Sequence, residues 1–145
     1  MILAINIGNT NTVLGCIDGS KCVFVERIST VKTKPELEYA IDIKNVLDIY
    51  HIKKADLEGG IISSVVPQSI FNLRNLSRRY LEVEPLVIGE NAELGIEVRI
   101  PKPSEAGADR LVNAIGALTT YSGDLLLIDS GTATTFDIVS AGDAP

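Results

Sequence analysis

Ile5-Asn6-Ile7-Gly8-Asn9-Thr10-Asn11-Thr12-Val13, near one end of the chain, aligns without a gap on Ile128-Asp129-Ser130-Gly131-Thr132-Ala133-Thr134-Thr135-Phe136 near the other. Both stretches read Ile, then Asn or Asp, any residue, Gly, three residues, Thr and an apolar residue. An internal repeat marks a recurring supersecondary unit. Here each copy is an apolar strand that runs into a Gly, Asn and Thr turn and returns as a second strand. Gly8 and Gly131 let the backbone approach a ligand closely, and the amides and hydroxyls of Asn9, Thr10, Thr12, Thr132, Thr134 and Thr135 are donors suited to phosphate oxygens. A single copy reads as a plain hairpin, because Asn and Gly favour turns and Thr favours strands. Two copies, each opening a lobe, favour phosphate handling, with the hairpins clamping a triphosphate from both sides.

Working outward, Ile2 to Ile7 is a nearly continuous apolar run, which predicts a central strand buried on both faces. Thr12 to Ile17 and Lys21 to Ile28 are two further strands, joined at Gly19-Ser20, so the chain opens as a meander. From Pro35, the residues Leu37, Ala40, Ile43, Leu47 and Tyr50 recur at helical spacing. A strand over Gly60 to Val66 follows, then a helix opened by Pro67 with Ile70, Leu73, Leu76 and Tyr80 as its buried stripe, then a fifth strand over Pro85 to Ile88. A loop from Gly89 to Ala106 leads to a third helix with Leu111, Ile115 and Leu118 on one side, and Asp124 to Asp129 and Thr134 to Ser140 form the last strand pair. This order predicts an α/β fold: a ribonuclease-H-like lobe, a mixed sheet with flanking helices, plus the first hairpin of a second similar lobe. The expected division is residues 1–122 for the first lobe with its linking helix and 123–145 for the incomplete start of the second.

The bulk properties narrow the function. The 145 residues are 46% hydrophobic and 5% aromatic, with a net charge of -6. That balance suits a soluble, cytoplasmic globular protein and argues against nucleic acid, whose binding requires clustered Lys and Arg. No apolar run approaches the ~20 residues that span a bilayer, and no leader precedes Ile2. Arg78-Arg79, the one basic doublet, reads as a solvated helix face. A two-residue turn at Gly19-Ser20 pairs Cys22 with Ile17 and not with Cys16, so both cysteines are expected as reduced, buried thiols. His51 has no Cys or His at a metal-ligand spacing and receives no role.

The hairpins resemble the phosphate motifs of the actin, hexokinase and Hsp70 superfamily. Together with Ile62-Ser63-Ser64-Val65-Val66-Pro67, Glu105-Ala106-Gly107-Ala108-Asp109-Arg110-Leu111-Val112-Asn113-Ala114 and Leu127-Ile128-Asp129-Ser130-Gly131-Thr132-Ala133-Thr134-Thr135-Phe136-Asp137, they are similar to the type III pantothenate kinases along nearly the whole chain. The resemblance implies transfer of the ATP γ-phosphoryl group to the primary hydroxyl of pantothenate, the first step toward coenzyme A. It implies that Gly107, Ala108, Asp109 and Arg110 bind pantothenate with Asp109 as proton acceptor. It further implies that Asn6, Ile7, Gly8, Asn9, Thr10, Asn11, Thr12, Val13 and Thr132 contact ATP with its Mg2+, and that Asp129 holds a monovalent cation, K+ or NH4+. A homodimer is implied for the full-length form.

The residues themselves leave alternatives. Asp109 stands just before an apolar-periodic helix and suits an N-cap as well as a proton acceptor. Arg110 either pairs with an anionic substrate group or lies on the surface. Asp129 ends an apolar strand, where a buried carboxylate is costly without a cation or donors, and this favours a functional role. Two departures from the family pattern stand out: Asn6 replaces the usual Asp, removing a charge that holds a divalent cation, and Pro101-Lys102-Pro103 stands where an aromatic residue commonly precedes Asn-Pro. The chain also stops where relatives continue into a full second lobe, so a truncation is expected. The competing expectations are an impaired kinase, a non-catalytic nucleotide-binding or regulatory relative, and an actin-like phosphotransferase with another acceptor.

Overall fold

Leu3, Ile5 and Ile7 alternate with Ala4 and Asn6, and this period of two puts the three large apolar side chains on one face of strand β1 (Ile2–Ile7). All three are buried, while Ala4 and Asn6 are half-buried. The strand is central as expected, but only one face is fully buried, because both neighbouring helices contribute to the same core. Tyr39, Ala40, Ile43, Val46, Leu47, Leu73 and Leu76 join Leu3, Ile5, Ile7 and Ile62 in a single apolar cluster. The computed structural model describes residues 1–142; Asp143, Ala144 and Pro145, the end of the expected second-lobe segment, lie outside the described residues.

The chain forms two compact units, Met1–Ala92 and Glu93–Pro145. In the first, β1 pairs antiparallel with β2 (Asn11–Asp18), which pairs antiparallel with β3 (Lys21–Ser29). On its other side β1 pairs in parallel with β4 (Gly59–Ser64), and β4 in parallel with β5 (Pro85–Val87). The sheet order is therefore β3-β2-β1-β4-β5. A parallel neighbour requires a crossover, and α1 (Glu36–Ile49) lies in it; α2 (Pro67–Leu76) connects β4 to β5. This mixed five-stranded sheet flanked by helices is the α/β lobe expected from the sequence.

Details differ from the helical pattern. Leu37 is 54% exposed, and Tyr39 and Val46 complete the inward stripe of α1, with the Tyr39 hydroxyl donating to the Val31 carbonyl at 3.3 Å. In α2, Leu73 and Leu76 are buried as expected, whereas Ile70 is half-buried and Ser69 takes an inward position; Tyr80, expected in the same stripe, lies beyond the helix and is half-buried. A π turn, Ser77–Leu81, carries Arg78 and Arg79 beyond the helix, and the Ser77 hydroxyl donates to the Leu73 carbonyl at 2.8 Å. Gly19 sits at φ 58° in the two-residue turn, and Cys22 pairs with Ile17. Both cysteines are free. Cys16 is buried, which raises its thiol pKa, but Cys22 is exposed because β3 is an edge strand.

The second unit contains α3 (Ala108–Thr120) and an antiparallel pair, β6 (Leu125–Ser130) and β7 (Thr134–Val139). Leu125, Leu127, Asp137 and Val139 alternate onto a half-buried face, and Leu126, Ile128, Phe136 and Ile138 form an exposed apolar one. Leu111, Ile115 and Leu118 of α3 are half-buried, and Ala114 is buried. Among the described residues no helix is long and apolar enough to cross a membrane. Replacing Ile62, which has no exposed surface, by Ala is expected to lower unfolding free energy by about 2–5 kcal/mol in urea titrations. Val25→Ala, at a 63% exposed position, is expected to change it by no more than about 0.5 kcal/mol.

Candidate functional site

In the turn between β1 and β2, the Gly8 amide donates to the Asn11 carbonyl at 2.9 Å. A Cβ at Gly8 would sit 3.1 Å from that oxygen, tighter than an ordinary contact, so a side chain here would press on the turn's own closure. The Gly8 amide is therefore not a donor for a ligand. Nor is the Thr12 hydroxyl, which is buried and shares a 2.9 Å hydrogen bond with Thr30. Strand alternation explains this: Thr12 pairs with Ile7 and points into the core with it. The exposed polar side chains at the tip are Asn9, Thr10 and Asn11, while Ile7 is core and Val13 half-buried.

Beside this turn lies the end of β4. The Val65 amide donates to the Ile7 carbonyl at 3.0 Å, so the parallel ladder holds the two strand ends together. The Ser64 hydroxyl donates to the Val66 carbonyl and lies 3.0 Å from Ser69 Oγ, which shapes the entry into α2. Asn6 pairs with Val13 on one side and Ser63 on the other. Asn6 Oδ1 and Ser63 Oγ are buried without a hydrogen-bond partner.

In the second unit, Gly107 is the N-cap of α3, and Ala108 and Asp109 lie inside its first turn. The capping role expected for Asp109 is thus corrected: it stands two residues beyond the N-cap, and its Oδ1 accepts the Arg110 amide at 2.9 Å. A carboxylate there still meets the positive end of the helix dipole. Arg110 is held by Asp137, its Nε donating to both carboxylate oxygens at 2.8 and 3.0 Å and its Nη2 bonding Oδ1 as well. This hydrogen bonding raises the guanidinium pKa further, so the group remains charged. The residue pattern leaves Arg110 open between surface and substrate; in the structure it is half-buried and already paired.

Asn113, one turn beyond Arg110, donates its side-chain amide to Asp129 at 3.2 Å. Asp129 itself is exposed, which removes the argument from the cost of burying its carboxylate. Thr132 is exposed at the β6–β7 tip. The two hairpins are also not superimposable residue for residue. Ile7 pairs with Thr12, whereas the corresponding Ser130 pairs with Thr134, so the second turn is one residue tighter. Asp129 consequently has Thr135 across from it, where Asn6 has Val13. A cleft of about 610 Å³ lies within this unit, lined among others by Ile96, Ile100, Arg110, Leu111, Leu118 and Asp137. Among the described residues no three His, Cys, Asp or Glu side chains group as a metal site. Ser63, Asn113 and Asp137 were in plain view in the motifs, and only spacing along a helix or parity along a strand distinguishes them.

The family model for type III pantothenate kinase matches residues 2–144. The chain is 61% identical over 141 residues to the type III pantothenate kinase of Phenylobacterium zucineum, covering 97% of this chain and 55% of that protein. It is 60% identical over 144 residues to that of Caulobacter vibrioides, covering 99% and 55%, and 45% identical over 136 residues to that of an Exiguobacterium species, covering 94% and 54%. It thus spans about half the length of the curated relatives it matches.

Asp137→Ala is expected to weaken the packing of α3 on the hairpin by about 1–3 kcal/mol, because it leaves a half-buried guanidinium without its fork. Amide hydrogen exchange over α3 and β6–β7 reads this directly. Glu84→Ala, which breaks the exposed pair with Arg78, is expected to leave the unfolding midpoint in urea unchanged, because solvent screens the pair.

Proposed function

The chain belongs to the type III pantothenate kinase family, and from that premise we propose that it forms the ATP-holding part and much of the acceptor site of an enzyme that phosphorylates pantothenate to 4'-phosphopantothenate, the first step of coenzyme A biosynthesis. The observation that carries this reading is the start of α3: Gly107 to Arg110 beside a cleft, with the Arg110 charge fixed in place by Asp137. A guanidinium has five N–H donors, and the fork with Asp137 leaves others for the carboxylate of pantothenate. Asp109, half-buried in the first turn, is the proton acceptor for the attacking hydroxyl.

ATP is assigned to the exposed donors Asn9, Thr10 and Asn11 at one turn and Thr132 at the other, with the paired strand ends Asn6, Ile7, Thr12 and Val13 and the Gly8 closure holding the first turn in shape. Mg2+ fits the phosphates better than the protein here, since the oxygen of Asn6 is uncharged and Mg2+ prefers carboxylates and phosphates. Asp129, an exposed carboxylate beside Asn113, is assigned to the monovalent cation, K+ or NH4+, on the family resemblance. The exposed apolar face of Leu126, Ile128, Phe136 and Ile138 supports assigning residues 123–145 to the start of a second lobe, since a two-stranded sheet is marginal by itself. Cytoplasmic location and a homodimer of the full-length form belong to the same proposal.

A second reading, a nucleotide-binding relative without turnover, is favoured by one observation, the missing charge at Asn6. An ATP-dependent assay with pantothenate separates the two. Asp109→Asn is expected to lower turnover by about 10²–10⁴-fold, and Asn6→Asp to raise it. ATP bound without turnover in either the native chain or Asn6→Asp supports the second reading, and absence of ATP binding in both overturns the two together.

A further inference from the structure

Ser63 and Ser64 are adjacent and chemically identical, yet the structure uses them differently. Ser64 is consumed by the turn into α2, through Val66 and Ser69. Ser63 is 5% exposed, and its hydroxyl has no hydrogen-bond partner. Its cross-strand neighbour in the parallel β1–β4 ladder is Asn6, whose Oδ1 is buried and unpartnered as well. Residues paired across a ladder present their side chains on the same face, so two orphaned oxygens stand side by side. One unsatisfied buried polar group calls for a physical reason; two at one register position, next to a phosphate-type turn, point to a shared ligand.

The chemistry of the two atoms restricts what that ligand is. Asn6 Oδ1 only accepts hydrogen bonds, while a hydroxyl both donates and accepts. A bare phosphate oxygen also only accepts, so it cannot satisfy Asn6 Oδ1. A water molecule polarised by a divalent cation can, because it donates to both oxygens, and Mg2+ keeps several of its waters when it binds with nucleotide phosphates. We propose that Ser63 is a further ligand-facing residue of the nucleotide site, which together with the Asn6 side-chain oxygen accepts hydrogen bonds from the water shell of the divalent cation carried by the nucleotide phosphates. The inference rests on the ATP-binding reading above and assigns to the end of β4 a role in it.

Isothermal titration of the chain with ATP, in excess Mg2+ and separately in excess chelator, tests it. Ser63→Ala is expected to weaken Mg·ATP binding by about three- to tenfold, the size of one hydrogen bond, and to leave binding in chelator unchanged. Ser63→Thr, which restores the hydroxyl, is expected to recover most of the loss. Equal weakening with and without Mg2+, or a lowered melting temperature with unchanged Mg·ATP affinity, overturns the proposal and makes Ser63 a purely structural residue. If Ser63→Ala does not fold, Asn6→Asp decides: a gain in affinity confined to the Mg2+ titration supports the site, and no gain overturns it. Absence of ATP binding by the native chain in both titrations is a different result, which removes the nucleotide reading itself and this inference with it.

Discussion

The parallel pairing of β1 with β4 is the constraint on which the first unit depends, because it joins segments more than fifty residues apart and fixes which side chains share a face. Six consecutive residues of β1, Ile2 to Ile7, are matched to Gly59 through Ser64, and the Val65 amide extends the ladder to the Ile7 carbonyl. A slip of one residue would turn Ile62 off the apolar face and bring Ser63 onto it, setting a hydroxyl among the apolar side chains of the cluster. The apolar cluster therefore fixes the register, and the register places Asn6 beside Ser63. Site and core are set by one choice.

Three of the ion pairs contribute little to holding the fold. Lys54–Glu82, Arg78–Glu84 and Arg99–Glu97 all have side chains at least half exposed, where solvent screens the attraction and immobilising long side chains offsets it. Arg110–Asp137 differs in burial: both side chains are at least partly buried, and like Arg78–Glu84 it is bonded through two nitrogens. It also links the first turn of α3 to β7, so the charge that would meet a substrate is positioned by the packing of the unit that presents it.

Periodicity made most of the architecture readable from the sequence. The alternation of Leu3, Ile5 and Ile7, the helical spacing of Ala40, Ile43 and Leu47, and Pro67 at a helix start each carry a local physical signal that tertiary packing did not override. What escaped depended on geometry that one-dimensional spacing does not contain. Leu37 and Tyr39 are both plausible inward residues at the start of α1, and only the position of Val31 decides between them. The gapless repeat concealed a turn shortened by one residue, because sequence alignment counts residues and hydrogen-bond register counts partners. Thr12 looked like a phosphate donor by type and spacing, yet strand parity sends it into the core. Asp137 lay within a motif already singled out, and its role emerged only with Arg110 opposite it.

Asn6 shows why a departure from a family pattern need not be read as damage alone. A carboxylate at this position would add a charge beside the 5% exposed Ser63, and without a cation nearby its desolvation would oppose folding. An amide avoids that cost, since it is uncharged in every state of the protein. The same neutrality means that the protein side of the site cannot by itself concentrate a divalent ion, so the ion's binding energy must come mainly from the phosphates it accompanies. In the proposed arrangement cation and nucleotide would arrive as one ligand, and the orphaned oxygens of Asn6 and Ser63 would discriminate between nucleotide with its hydrated cation and nucleotide without it.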